Sequence, residues 1–119
     1  MGEKKRHIYK SLKIWQLGIE IAFDVSDIVI EFPKHEKYDL SSQMSRCSVS
    51  MPSNIAEGSA RTNKSFSHFL DISLGYSFEL ITQILVAKHR KYIDIKTEEK
   101  LINKITEFQK MTMGFQNGL

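Results

Sequence analysis

Residues 40–61 read LSSQMSRCSVSMPSNIAEGSAR. Leu40, Met44, Cys47, Met51 and Ile55 recur every three or four positions, with Gly58 next on the same line. That spacing puts one apolar stripe on an α-helix. The remainder of the segment is serine-rich. Pro52 falls inside it, lacks an N–H and crowds the carbonyl four residues back, so the helix is expected to kink near Ser48. The other reading is two shorter helices meeting at Met51-Pro52. The choice decides the architecture, because three further segments carry helical periodicity.

Upstream, a helix is expected from about Ser11, as N-cap, to Glu31, with Pro33 stopping it. Lys13, Gln16, Glu20, Asp24, Asp27 and Glu31 fall on one narrow arc, and most of the remaining circumference is apolar or small. Downstream, a third helix is expected over about 64–90, capped by Thr62 or Asn63. Its apolar arc is wide, and Ser73 and Ser77 sit near the middle of it, where small side chains admit a close neighbour and hydroxyls can bond back to the preceding turn. Thr97 opens a fourth helix, to about Phe115, with Glu98 and Glu99 in its first turn. Gly114 and Gly118 suggest a fraying end.

Four helices joined by short loops predict an all-α, antiparallel up-down-up-down bundle, one domain over 1–119, preceded by a basic, flexible arm at 1–10. A surface helix buries a stripe a little over about 100° wide, and the first and third helices are apolar over more than that. The surplus needs a cover, and another copy of the chain supplies it most simply. Trp15, Ile19, Phe69, Ile72, Tyr76 and Leu80 are the expected interface residues between helices or copies.

Composition narrows the class. The chain has 119 residues, 41% apolar and 26% charged, which suits a globular domain. Cys47 is its single cysteine, so no internal disulfide forms and a reducing, cytoplasmic setting is expected. No uninterrupted apolar run of membrane-spanning length is evident, and Lys13, Gln16 and Glu20 interrupt any signal-peptide core. No membrane partner is therefore expected.

Catalytic and metal chemistry find no pattern. The histidines, His7, His35, His68 and His89, show neither Glu-x-x-His nor His-x3-His spacing, and read as solvated surface groups. The acidic row Glu20, Asp24, Asp27, Glu31 reads as a solvated helix face. Cys47, on an apolar stripe without an evident base, reads as a buried thiol. No glycine-rich nucleotide loop is present. The expectation is no catalytic residue, no metal and no cofactor.

Cations are what remain. The formal charge is +3 and the pI about 9.0. Lys4, Lys5, Arg6, Lys10 and Lys13 make an N-terminal cluster; Lys88, His89, Arg90 and Lys91 close the third helix. Both have ordinary explanations, solubility for the first and the helix dipole for the second. In an oligomer each would repeat around the axis and sum to a phosphate-binding field.

Phe32-Pro33-Lys34-His35-Glu36-Lys37-Tyr38-Asp39-Leu40-Ser41-Ser42-Gln43-Met44, running on to Val49-Ser50-Met51-Pro52-Ser53-Asn54-Ile55-Ala56-Glu57-Gly58, resembles the four-helix bundle family encoded in intervening sequences of bacterial 23S ribosomal RNA genes. Ile14-Trp15-Gln16, Phe69 to Gly75, Glu79 to Gln83 and Tyr92-Ile93 extend the resemblance over about 12–93. It implies a bundle assembling as a ring, commonly a pentamer. The related accessory variability determinants of diversity-generating retroelements bind nucleic acid and a reverse transcriptase, which the resemblance brings in as possible partners. The chain departs from the pattern at Ser45-Arg46, where two arginines are common, at Cys47-Ser48, where two alanines are usual, and at Lys91, where glycine often stands. Arg46, Asn54, Glu57, Glu79 and Gln83 are the polar residues of these motifs, expected to lock the second helix to the third or to a neighbour.

The function expected is a non-enzymatic, homo-oligomeric, pentameric bundle binding RNA or DNA through Lys4, Lys5, Arg6, Lys10, Arg46, Lys88, Arg90 and Lys91. The alternative is a protein-interaction scaffold without nucleic-acid binding, holding its partner in apolar grooves.

Overall fold

In a computed structural model that describes residues 7–119, Leu40–Ser59 is one unbroken helix through Pro52. The two-helix reading is thereby excluded. Helices α1 (Lys13–Val29), α2 (Leu40–Ser59), α3 (Asn63–His89) and α4 (Ile95–Asn117) follow one another around a four-helix bundle. Each packs on the next, α4 closes onto α1, and the diagonal pairs do not approach. Phe66, Phe108, Ile21, Met44, Met51, Ile55 and Ile84 are fully buried between the four, at about 1.5–3 kcal/mol of transfer free energy per side chain.

Pro52 is tolerated because its ring is used in packing. It lies against Gly18 of α1, where a Cβ would stand 3.3 Å from the Pro52 Cβ. Ser73 does not bond back along α3; its hydroxyl donates to the Met51 carbonyl of α2 at 2.8 Å, beside the proline. Ser77 does bond back, to Leu74, and also accepts from Gln109 of α4. Ser73 and Ser77, both fully buried, thus fasten α3 to helices on either side.

Two caps differ from expectation. Leu12, not Ser11, precedes α1, and Ser11 closes a short 3-10 turn, Tyr9–Ser11, by donating to the Ile8 carbonyl. Helix α4 starts two residues before Thr97, because the Asp94 carboxylate accepts the Thr97 N–H at 2.8 Å. That bond holds the Asp94 carboxyl below its ordinary range. Thr62 caps α3 as expected, accepting from the Ser65 N–H. Helix α4 runs through Gly114 without fraying.

The acidic row of α1 is exposed at Glu20, Asp27 and Glu31, as a solvated face would be, but its first half has a partner. Lys104 of α4 reaches Glu20 at 2.9 Å and Asp24 at 2.6 Å, so these two members of the row tie α4 to α1. His7 is also not free: its ring lies 5.3 Å from that of Phe66 and 5.7 Å from that of Phe115, and its backbone N–H donates to the Ser59 carbonyl. Residues 7–10, placed in the arm by the sequence reading, therefore lie against the bundle.

By length and composition α3 could cross a membrane, contrary to the expectation that no segment could. Between Phe69 and Val86 its polar positions are mostly Ser, Gly, Tyr and Thr, which lower hydropathy little. Phe66, Leu70, Leu74, Leu80 and Ile84 of α3 are spent on the bundle core, so packing accounts for part of its apolar content; Phe78 and Leu85 remain exposed.

Candidate nucleic-acid interface

Antiparallel packing gives the bundle two ends. One gathers the start of α1, the α2–α3 turn and the end of α4; the other gathers the α1–α2 and α3–α4 loops. The 27-residue α3 separates them by about 40 Å at 1.5 Å per residue.

Charge is divided unevenly between them. Within about two turns of the first end, Lys10, Lys13, Arg61, Lys64 and Lys110 stand against three acids among the described residues, Glu20, Glu57 and Asp71, the last bonded to Gln116 near the end of α4. At the second end Lys34, Lys37, Arg46, Lys88, Arg90, Lys91, Lys96 and Lys100 are matched one for one by Asp24, Asp27, Glu31, Glu36, Asp39, Asp94, Glu98 and Glu99. The expected binding residues are therefore not one patch. Lys10 belongs to the cationic end; Arg46, Lys88, Arg90 and Lys91 belong to the balanced end. Lys4, Lys5 and Arg6 lie outside the described residues and precede the cationic end in sequence.

Arg61 and Lys64 escaped the sequence reading because nothing around them clusters in sequence. They come to the same end of the bundle as Lys10 and Lys13 only once α2 and α3 turn beside the chain's first elements. Arg61 sits 4.8 Å from the Phe69 ring centroid and 3.3 Å from the Glu57 carboxylate, an exposed pairing that leaves its charge largely available.

Arg90 is already engaged. Its guanidinium donates to Glu36 at 2.7 Å, and the Tyr92 hydroxyl donates to the same carboxylate oxygen. The Glu36 side chain is only 4% exposed. The Tyr92 hydrogen bond, helped by Arg90, holds the Glu36 carboxyl below its ordinary range against the effect of burial, and the bond to Glu36 pushes the Tyr92 hydroxyl up. His35 flanks the cluster, 3.7 Å from Glu36.

Lys91 is held in the left-handed region, φ 64°. The Lys91 N–H bonds Lys88 and the Tyr92 N–H bonds Ala87, a pattern that ends a helix with a left-handed residue and favours glycine there. The same geometry gives a physical reason for the glycine that the resemblance implies at this position.

The motif polar residues divide. Gln83 joins α3 to α2 by donating to the Cys47 sulfur at 3.3 Å; burial pushes the Cys47 thiol up. Asn54 bonds within α2, to the Ser50 carbonyl, and Glu57 accepts from Arg61 in the turn that follows α2. Arg46 and Glu79 form no ion pair among the described residues. No three His, Cys, Asp or Glu side chains among the described residues converge as metal ligands.

Of the expected interface residues, Leu80 is in the bundle core, and Phe69, Ile72 and Tyr76 are half-buried on α3. Trp15 and Ile19 line a groove of about 470 Å³ between α1 and α2, with Tyr9, Ala22, Phe23, Ser26, Val49, Pro52, Ser53 and Ala56. No charged side chain lines it. Phe23 is 63% exposed; on α3, Phe78 and Leu85 are 56% and 51% exposed. The surplus apolar width of α1 and α3 is thus real surface.

Comparison with known proteins places these features. The family described as 23S rRNA-intervening sequence protein matches residues 10–114. No curated protein matches the chain. Among solved structures, a protein of unknown function from the S23 ribosomal protein family of Bacteroides thetaiotaomicron VPI-5482 superposes with a TM-score of 0.80 at 22% identity, over 87% of this chain and 95% of that one. At that identity the likeness establishes the shared fold.

Proposed function

This chain belongs to the 23S rRNA-intervening sequence protein family, and from that premise we propose that it is a non-enzymatic, homo-oligomeric scaffold of the cytoplasm that binds nucleic acid. The observation that carries the binding is the cationic end. Lys10, Lys13, Arg61, Lys64 and Lys110 lie at that end and outnumber its acids, Glu20, Glu57 and Asp71, whereas the opposite end is balanced. Repeated around a ring, of five copies on the family resemblance, such an end presents a multiplied field to phosphates. This reading moves the expected contact from Lys88, Arg90 and Lys91 to Lys10, Lys13, Arg61 and Lys64.

The oligomer rests on two separate apolar surfaces. The α1–α2 groove is neutral and floored by small residues. On α3, Phe78, Ile81, Thr82 and Leu85 follow the i, i+3, i+4, i+7 spacing by which a helix seats in a groove. A ridge that fits a groove elsewhere on the same molecule makes a head-to-tail contact, which closes into a ring or extends as a filament.

The test is a titration of structured ribosomal RNA between about 50 and 200 mM salt. Binding is expected to weaken steeply with salt, and replacing Lys10, Lys13 and Lys64 by glutamine is expected to flatten that slope by about 0.9 per lysine. Replacing Lys88 and Lys91 is expected to change it less. Absence of binding at low salt would leave the protein-interaction scaffold as the better account.

A further inference from the structure

The 33–38 loop has an unusual division of labour. Phe32 is buried against Tyr92, ring centroids 5.1 Å apart. Lys34–Glu36 is a 3-10 turn, and its single acid, Glu36, turns inward to Arg90 and Tyr92. Lys34, His35, Lys37 and Tyr38 face outward. Tyr38 is 87% exposed, and the Lys37 ammonium lies 5.4 Å from its ring centroid. Asp39, next in sequence, spends its carboxylate on the Gln43 amide.

We propose that this loop is a contact for unpaired nucleotides, with Tyr38 as the surface on which a base stacks and Lys34 and Lys37 as its phosphate partners. The proposal rests on the reading above only in that the protein binds nucleic acid; it assigns a second contact, at the end opposite the cationic one, and names the form of nucleic acid that contact takes. An aromatic ring beside cations is what binds single strands, because every base has a face to stack and every nucleotide a phosphate to pair. A duplex offers no free base face except at its two ends. The burial of Glu36 contributes in two ways: it removes the one negative charge from the outer surface of the turn, and it anchors the turn at its midpoint. The ring is therefore presented by an ordered loop, and binding loses little conformational entropy.

The test uses the full chain and two RNAs, an oligouridine of about 15 nucleotides and a blunt duplex of matching length, with affinity read by fluorescence anisotropy. Tyr38→Ala is expected to weaken oligouridine binding about tenfold and leave duplex binding unchanged, while Tyr38→Phe, which keeps the ring, retains both. The double substitution Lys34→Gln with Lys37→Gln is expected to reduce the single-strand salt slope by about 1.4. Equal losses on both RNAs, or no loss with Tyr38→Ala, overturn the proposal and leave the broader reading standing. So does a fall in assembly mass for Tyr38→Ala by light scattering, which would make the tyrosine a contact between copies. Failure of the unaltered protein to bind either RNA defeats both.

Discussion

The guanidinium of Arg90 lies 2.7 Å from the carboxylate of Glu36, and that one contact joins the α1–α2 loop to the end of α3. A buried carboxylate needs such partners to stay charged. Since Tyr92 and Arg90 hold the Glu36 carboxyl below its ordinary range, its stabilising effect is fully present above the unfolded carboxylate value and is lost as pH falls through the lower native value. Glu36→Gln is expected to melt several degrees lower than the unaltered protein at pH 7. The gap should close on acidification towards pH 3, as thermal melts across that range would record. A gap independent of pH would mean that the charge contributes nothing.

Lys91 stands at φ 64°, where a side chain costs about 1–2 kcal/mol. Lys91→Gly is expected to stabilise the protein by about 0.5–1 kcal/mol once the extra freedom of glycine in the unfolded chain is deducted. Urea denaturation at fixed protein concentration checks the sign. A destabilised variant would show that the lysine side chain contributes more than its backbone strain removes.

These two positions show what was readable and what was not. Apolar periodicity located all four helices, because a helix face is a local property of its own residues. It also exposed the surplus on α1 and α3, where Phe23, Phe78 and Leu85 remain uncovered. The partner of Glu36 was invisible: Arg90 is 54 residues away, and no spacing rule spans two loops. Lys104 was invisible for the same reason, so the acidic row of α1 read as solvated. Arg61 and Lys64 look like isolated surface charges until the turn between α2 and α3 brings them to the same end of the bundle as Lys10. Caps failed at closer range. Ser11 and Thr97 are good capping residues, yet Asp94 captured the Thr97 N–H and moved the start of α4.

Gly58 and Gly114 are both helical, and their surroundings predict opposite signs. A Cβ on Gly58 would fall 2.7 Å from both Phe66 Cδ1 and Phe69 Cβ, whereas one on Gly114 would meet nothing within 4 Å. Gly58→Ala should cost about 1–3 kcal/mol through overpacking between α2 and α3. Gly114→Ala should gain about 0.5–1 kcal/mol, because alanine loses less freedom on entering a helix. Denaturation midpoints compared with the unaltered protein decide both. A neutral Gly58→Ala would mean that the Phe66 and Phe69 rings move aside freely.

The head-to-tail contact has a signature that a two-fold contact cannot reproduce. Phe23→Glu places a charge in the α1–α2 groove and leaves the α3 ridge intact; Leu85→Glu does the reverse. If ridge seats in groove, each variant alone should be a monomer of 13.8 kDa, because a buried unpaired carboxylate is costly. Mixed, the two should form a dimer and go no further, since the intact ridge of one fits the intact groove of the other and the remaining surfaces are both blocked. If two copies instead pair groove to groove, Leu85→Glu alone would remain assembled and mixing would rescue nothing. Light scattering on the two variants, separately and mixed, distinguishes the arrangements by mass alone, without any knowledge of what the assembly binds.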